Sequence, residues 1–236
     1  MHGDLVVLSL TAASVGFLHT LTGPDHYLPF VMIGRARRWG YAKLATVTTL
    51  CGLGHVLSSI LLALLGVAAG VALSRLEAWE NLRGNWAAYA LMGFGIAYTL
   101  WGLRKAWRGQ VHTHYHRHAD GTFHRHPHNH HHPDHAHLHG DGERITVWVL
   151  FAIFVLGPCE PLIPLAMVPA ARHSWAGLLW IGLVFGLLTV GTMVATTLLL
   201  YSGVRRISLP WLERYMHALA GAVITLSGAA IVFLGL

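Results

Sequence analysis

The sequence predicts an all-α membrane protein: six transmembrane helices arranged as a 3+3 inverted repeat, with the first and fourth helices broken. Three observations carry that expectation. Only 11% of the 236 residues are charged and 54% are hydrophobic, whereas soluble domains carry roughly a quarter charged residues. Six mostly apolar runs, near residues 4–31, 44–73, 86–107, 145–170, 175–202 and 211–235, approach or exceed the length of about 20 residues that a bilayer-crossing helix needs. Two sequence patterns recur in both halves of the chain at nearly one offset.

The first run opens MHGDLVVLSLTAASVGFL, without a basic leading region or a clear cleavage motif, and is expected to be a retained span. Gly23-Pro24 interrupts it, because proline removes a backbone donor and clashes with the preceding turn. The second run holds Cys51 and His55, and the third closes a first repeat over residues 1–109. Residues 110–144 form a low-complexity segment holding 13 of the 19 histidines: His112, His114, His116, His118, His124, His126, His128, His130, His131, His132, His135, His137 and His139. Such a composition cannot bury a core. Runs four to six make a second repeat over residues 145–236, interrupted in the same way at Gly157-Pro158.

The repeat rests on two matches. Gly23-Pro24-Asp25-His26 before Leu28-Pro29 corresponds to Gly157-Pro158-Cys159-Glu160 before Leu162-Ile163-Pro164, 134 residues later. GHVLSSILL at 54–62 corresponds to GTMVATTLL at 191–199, 137 residues later. With three spans between the copies, the second enters the membrane from the opposite side. In folds of that kind, paired Gly/Pro-interrupted spans point to the substrate site near the bilayer midplane.

The positive charges then orient the chain. Arg35, Arg37, Arg38, Lys43, Arg104, Lys105, Arg108, Arg117, Arg125, Arg144, Arg205, Arg206 and Arg214 flank loops one, three and five, 13 of the 16 Lys and Arg. Only Arg75, Arg83 and Arg172 lie on the other side. Short cytoplasmic loops carry the positive excess, so the sequence predicts a multi-pass protein of the inner (cytoplasmic) membrane, both termini outside the cytoplasm and the histidine-rich loop inside it. No basic stripe interleaved with aromatics marks a nucleic-acid partner. No Walker A loop marks a self-contained ATP-driven pump. No catalytic constellation marks an enzyme, and two cysteines within apolar runs make no disulfide framework.

The chemistry lies at the breaks. On an unbroken helix, His19 and His26 would share a face but stand about 10.5 Å apart along the axis, too far to hold one ion. A break at Gly23-Pro24 folds His19, Asp25 and His26 toward one point. Imidazole with carboxylate suits nickel, cobalt, zinc or copper rather than magnesium or calcium. His55, Cys159 and Glu160 are further candidates to complete the set. Against this stands a break that only shapes packing, but ionisable groups within spans are costly and mark functional sites by default. For His55, with Ser58 and Ser59 beside it, a packing role competes more closely. Cys159 opens a second chemistry, thiol exchange, which requires a partner cysteine within disulfide reach. The mirrored position holds Asp25, so Cys51 would have to serve. The histidine loop would gather metal ions through many weak, exchangeable contacts.

With these residues in hand, the chain resembles the nickel/cobalt permease superfamily, in particular its branch of urease-accessory-like and sulfite-exporter-like small membrane permeases. The resemblance rests on HTLTGPDHYLPF in the first run, CGLGHVLSS in the second, the histidine-rich middle and GPCEPLIPL in the fourth. It implies transport of divalent nickel or cobalt. It also implies a first-half motif ending in Asp-His, matched here by Asp25-His26, although uptake permeases place four residues between the first histidine and that pair where this chain has five. The expected function is therefore a permease for a divalent transition metal, nickel or cobalt first, with proton coupling as a natural corollary because protons compete for the same ligands. The metal is substrate rather than resident cofactor. Other compatible partners are membrane lipid, a second copy of the chain and a metallochaperone. The alternatives are a membrane thiol carrier using Cys159 and a permease for zinc, copper or sulfite.

Overall fold

A computed structural model of the chain describes residues 2–108, 112–117, 123–128, 140–171, 174–206 and 210–234. Its elements are α1 (His2–Thr22), a single 3-10 turn (Pro24–His26), α2 (Leu28–Ala36), α3 (Tyr41–Ala68), α4 (Leu73–Arg108), β1 (His112–Arg117), β2 (Phe123–His128), α5 (Gly140–Leu156), α6 (Leu162–Ala171), α7 (Trp175–Arg206) and α8 (Pro210–Leu234). Both Gly-Pro sequences end a helix: α1 stops at Thr22 and α5 at Leu156, and each chain resumes helically about five residues later.

Among the described residues, four helices are long and apolar enough to cross a membrane: Leu5–Thr22 of α1, α3, α7 and Glu213–Leu234 of α8. This is fewer than the six expected. The reason is physical. Between the charged ends of the 36-residue α4, the uncharged stretch 84–103 is diluted by Asn85, Trp86, Tyr89, Tyr98, Trp101 and glycines, and the apolar part of α5, Arg144–Leu156, stops at the second break.

The long helices turn leucine outward and small or polar residues inward. On α3, Leu50, Leu53, Leu57, Leu61 and Leu65 are exposed, a stripe at three- and four-residue spacing. The opposite face, with Thr48, Cys51, Gly52, His55, Ser59, Ala63 and Gly66, is buried. A soluble bundle would show the reverse. In lipid the tails cover leucine, and small residues let helix backbones approach closely. Thus Gly52 of α3 leaves room for Met193 of α7, and Gly182 of α7 for Ile60 of α3.

The same device joins α4 to α8, which run antiparallel. Gly95 lies against Thr225 and Gly221 against Thr99, while Gly102 meets Ala218 and Gly228 meets Met92. The contact is reciprocal, and its glycines and threonines recur at one offset of 126 residues (95→221, 99→225, 102→228). At one end of the bundle α2 is tied to α8 by Arg35 and Arg38, whose Nη2 atoms lie 3.4 and 3.1 Å from the Glu213 carboxylate.

Part of the histidine-rich segment forms a two-stranded antiparallel ribbon, β1 with β2, in which His112 pairs with His128, His114 with His126 and His116 with His124. His118, His130, His131, His132, His135, His137 and His139 lie outside the described residues.

Candidate metal centre

The first break builds the centre locally. The Gly23 N–H donates to the His19 carbonyl at 3.0 Å and closes the last turn of α1. Pro24 has no N–H to continue it, so the chain tightens into a 3-10 turn in which the His26 N–H donates to the Gly23 carbonyl at 3.1 Å. The turn swings the His26 ring back over Gly23. Glycine is required there for space: a Cβ on Gly23 would stand 2.5 Å from His26 Nδ1. The consequence is that residues seven apart in sequence come together, the His19 and His26 rings lying 4.8 Å apart, edge to face.

His55 arrives from the buried face of α3. Its ring lies 5.2 Å from that of His26, again nearly perpendicular. One ring nitrogen from each of His19, His26 and His55 falls within 4.8 Å of the other two. His26 and His55 are each only 3% exposed, and the Nε2 atoms of all three histidines are buried with no hydrogen-bond partner. Buried polar atoms are nearly always paired, so three orphans in one place call for a ligand.

The opposite ring nitrogens explain why Nε2 is left over. His26 Nδ1 lies 3.1 Å from the Gly23 carbonyl, and His55 Nδ1 lies 3.3 Å from the Phe154 carbonyl, near the end of α5. A carbonyl only accepts, so both Nδ1 atoms carry a proton, and each ring in its neutral form presents a lone pair at Nε2. This is the arrangement found in metal-ligating histidines, whose other ring nitrogen is held by a carbonyl or carboxylate. Asp25 adds to it: its Oδ1 is 3.3 Å from His26 Nδ1. The carboxylate thus supports the ring from behind and is not one of the three converging groups. A cavity lined by Asp25, His55, Gly84, Ala87, Ala88, Leu91, Ile153, Phe154, Gly157, Pro158 and Ile231 adjoins the cluster.

The second break contributes differently. Gly157 packs beside His55, where a Cβ would lie 3.1 Å from Nδ1. Cys159 is fully buried among Ala12, Leu162, Ile181 and Phe185, and Glu160 is exposed. Neither is brought to the histidine cluster. Cys51 sits in a separate packed group with Val47 and Met193, and both thiols are free.

Sequence reasoning passed over Glu80 and Arg83. Glu80 is 1% exposed and pairs with Arg83 at 2.5 Å. Arg83 Nη2 in turn donates to Ser59 Oγ at 2.5 Å and to the Gly157 carbonyl at 3.2 Å. The signal was present as Glu-x-x-Arg, a spacing that pairs on one helix face, but it was assigned to a loop flank. No family model, curated protein or solved structure matches the chain. Fold and site together describe a helical membrane protein with three imidazoles converging in its interior.

Proposed function

We propose that the chain is a permease for a divalent transition metal, nickel or cobalt first, with His19, His26 and His55 as the ligands of the transported ion. The observation that carries this reading is the convergence of three imidazoles, one ring nitrogen of each within 4.8 Å of the others and each with a buried, unpartnered Nε2, inside a bundle whose outer face is leucine. Neutral imidazoles suit nickel, cobalt, zinc and copper, and a three-nitrogen set leaves positions open for the exchange that transport demands.

The six-span, 3+3 inverted-repeat architecture is part of the proposal. It is supported by the two helix breaks at equivalent sequence positions and by the reciprocal antiparallel packing of α4 on α8 at a constant offset. In this arrangement α4 and the α5–α6 pair serve as the third and fourth spans. Glu80 of α4 and the break between α5 and α6 are turned inward, where such groups are tolerated, while Arg75, Arg104, Lys105 and Arg144 are exposed near the helix ends. Inner-membrane placement, with both termini outside and the histidine-rich segment in the cytoplasm, follows from the distribution of Lys and Arg. A thiol carrier is less well supported, because Cys51 and Cys159 are free and packed in different groups.

The test is flux in reconstituted vesicles with nickel, cobalt, zinc, copper and sulfite side by side at two pH values. Nickel or cobalt uptake that His26→Ala abolishes, while the variant remains folded, is the expected outcome. Undiminished metal flux in His26→Ala sinks the site, and flux of sulfite alone sinks the metal.

A further inference from the structure

We infer that Arg83, paired with Glu80, is a positioning residue for the histidine cluster: its guanidinium clamps the second helix break to α3 and so fixes His55. The inference deepens the reading of His19, His26 and His55 as a metal site and rests on it.

One nitrogen carries the clamp. Arg83 Nη2 is surrounded by three oxygens from three different elements: Glu80 Oε2 at 2.5 Å on its own helix, Ser59 Oγ at 2.5 Å on α3, and the Gly157 carbonyl at 3.2 Å at the end of α5. Ser59 follows His55 by four residues, one turn further along the same buried face of α3. Gly157 is the residue whose open side receives His55 Nδ1. Arg83 therefore joins the turn next to His55 to the backbone beside its ring. It also satisfies a carbonyl that the helix break leaves without an intrahelical partner.

The neighbouring residue strengthens the junction. Gly84 lets the ring of Pro158 seat directly on α4, since a Cβ there would lie 2.5 Å from Pro158 Cγ. Arg83 and Gly84 thus hold the break from one side while His55 lies on the other. The buried carboxylate of Glu80 needs a counter-charge, and the part-buried Arg83 guanidinium supplies it. Removing either partner leaves an uncompensated charge inside the bundle. A pair that only joined helices would touch α3 or α5; this one grips both at the two points that define where His55 can stand.

The test is a Co2+ titration of the purified full-length chain followed by visible absorption, counting only the signal absent from His26→Ala. Arg83→Met is expected to weaken Co2+ binding by about 10- to 100-fold, the usual effect of losing a group that orients a metal ligand, and to shift the absorption bands. Arg83→Lys should recover part of the loss, since an ammonium keeps the charge but not the planar fork. Millimolar guanidinium should recover part of it in Arg83→Ala. Ser59→Ala keeps the ion pair and decides the matter if the arginine variants fail to fold: it should cost several-fold in affinity with a band shift. Unchanged affinity and bands in Arg83→Met, or in Ser59→Ala where that variant must decide, overturn the positioning role. So does a loss that neither lysine nor guanidinium recovers. If the wild-type chain shows no signal that His26→Ala removes, the metal site itself is wrong.

Discussion

The two broken helices begin from nearly the same residues and end as different devices. At the first, Gly23-Pro24-Asp25-His26 closes on itself, with the Gly23 carbonyl taking both the backbone N–H and the ring Nδ1–H of His26, each at 3.1 Å. Asp25 lies against the same ring nitrogen. At the second, the freed Gly157 carbonyl is taken by Arg83 from another helix, and Cys159 withdraws into packing. The chemistry of the fourth position accounts for the difference. An imidazole can bond back to the turn that carries it and still offer its far nitrogen, which the exposed carboxylate of Glu160 does not do. One break therefore brings two imidazoles to the cluster, and the other supplies a wall against which His55 of α3 is placed.

The largest effect should come from filling the first break. In Gly23→Ala the new Cβ would stand 2.5 Å from His26 Nδ1, so the ring must leave its carbonyl and its place beside His19. Metal affinity should fall by at least about 100-fold, the upper range for losing the orientation of a ligand. In Gly157→Ala the corresponding distance to His55 Nδ1 is 3.1 Å, a crowding that a shift of a few tenths of an ångström relieves. Its loss should be roughly tenfold smaller. Calorimetric titration of the two variants with nickel checks this, and equal losses would erase the distinction between the breaks.

What was legible in the sequence follows the same line. The breaks themselves were readable because Gly-Pro ends helices by sterics alone, and the meeting of His19 with His26 followed from needing a fold there. Ionisable residues in apolar runs also marked His19, His26 and His55, which the fold brings together. The arrival of His55 from α3 was not fixed by spacing, because it depends on how two helices rotate against each other; only its distance of four from Ser59 hinted at a shared polar face. The matched offset of 134 equated Glu160 with His26 by position, but a repeat conserves position better than direction, and Glu160 points outward. Glu80 and Arg83 were hidden by their own charge, which reads as a loop unless the pairing is known. GIAYTLWG in α4 and GAVITLSG in α8 match at one offset, yet the meaning of that match lies in glycine contacts that only the packed helices reveal.

A smaller effect sharpens the first break from within. Asp25 supports His26 through Nδ1 at 3.3 Å, so Asp25→Asn keeps an acceptor there while removing the charge that strengthens the ring as a donor to metal. Nickel affinity should fall by about tenfold, the lower range for groups behind a ligand. A direct ligand would cost far more. A loss as deep as that of His26→Ala in the same titration would move Asp25 into the coordination set and make the first break a three-ligand turn.

The smallest effect belongs to Cys159. Fully buried among Ala12, Leu162, Ile181 and Phe185, its thiol fills space at the base of the second break. Cys159→Ala should leave nickel affinity and flux unchanged, and destabilise the fold by roughly 1 kcal/mol, the ordinary cost of a small buried truncation. Unfolding in detergent measures the second, vesicle uptake the first. Loss of flux at full nickel affinity would place the thiol on the path of the ion, and the second break would then be more than a wall. Retained flux with the small stability loss leaves the asymmetry intact: the converging imidazoles come from the first break and from α3, and Cys159, 134 residues after Asp25, contributes packing alone.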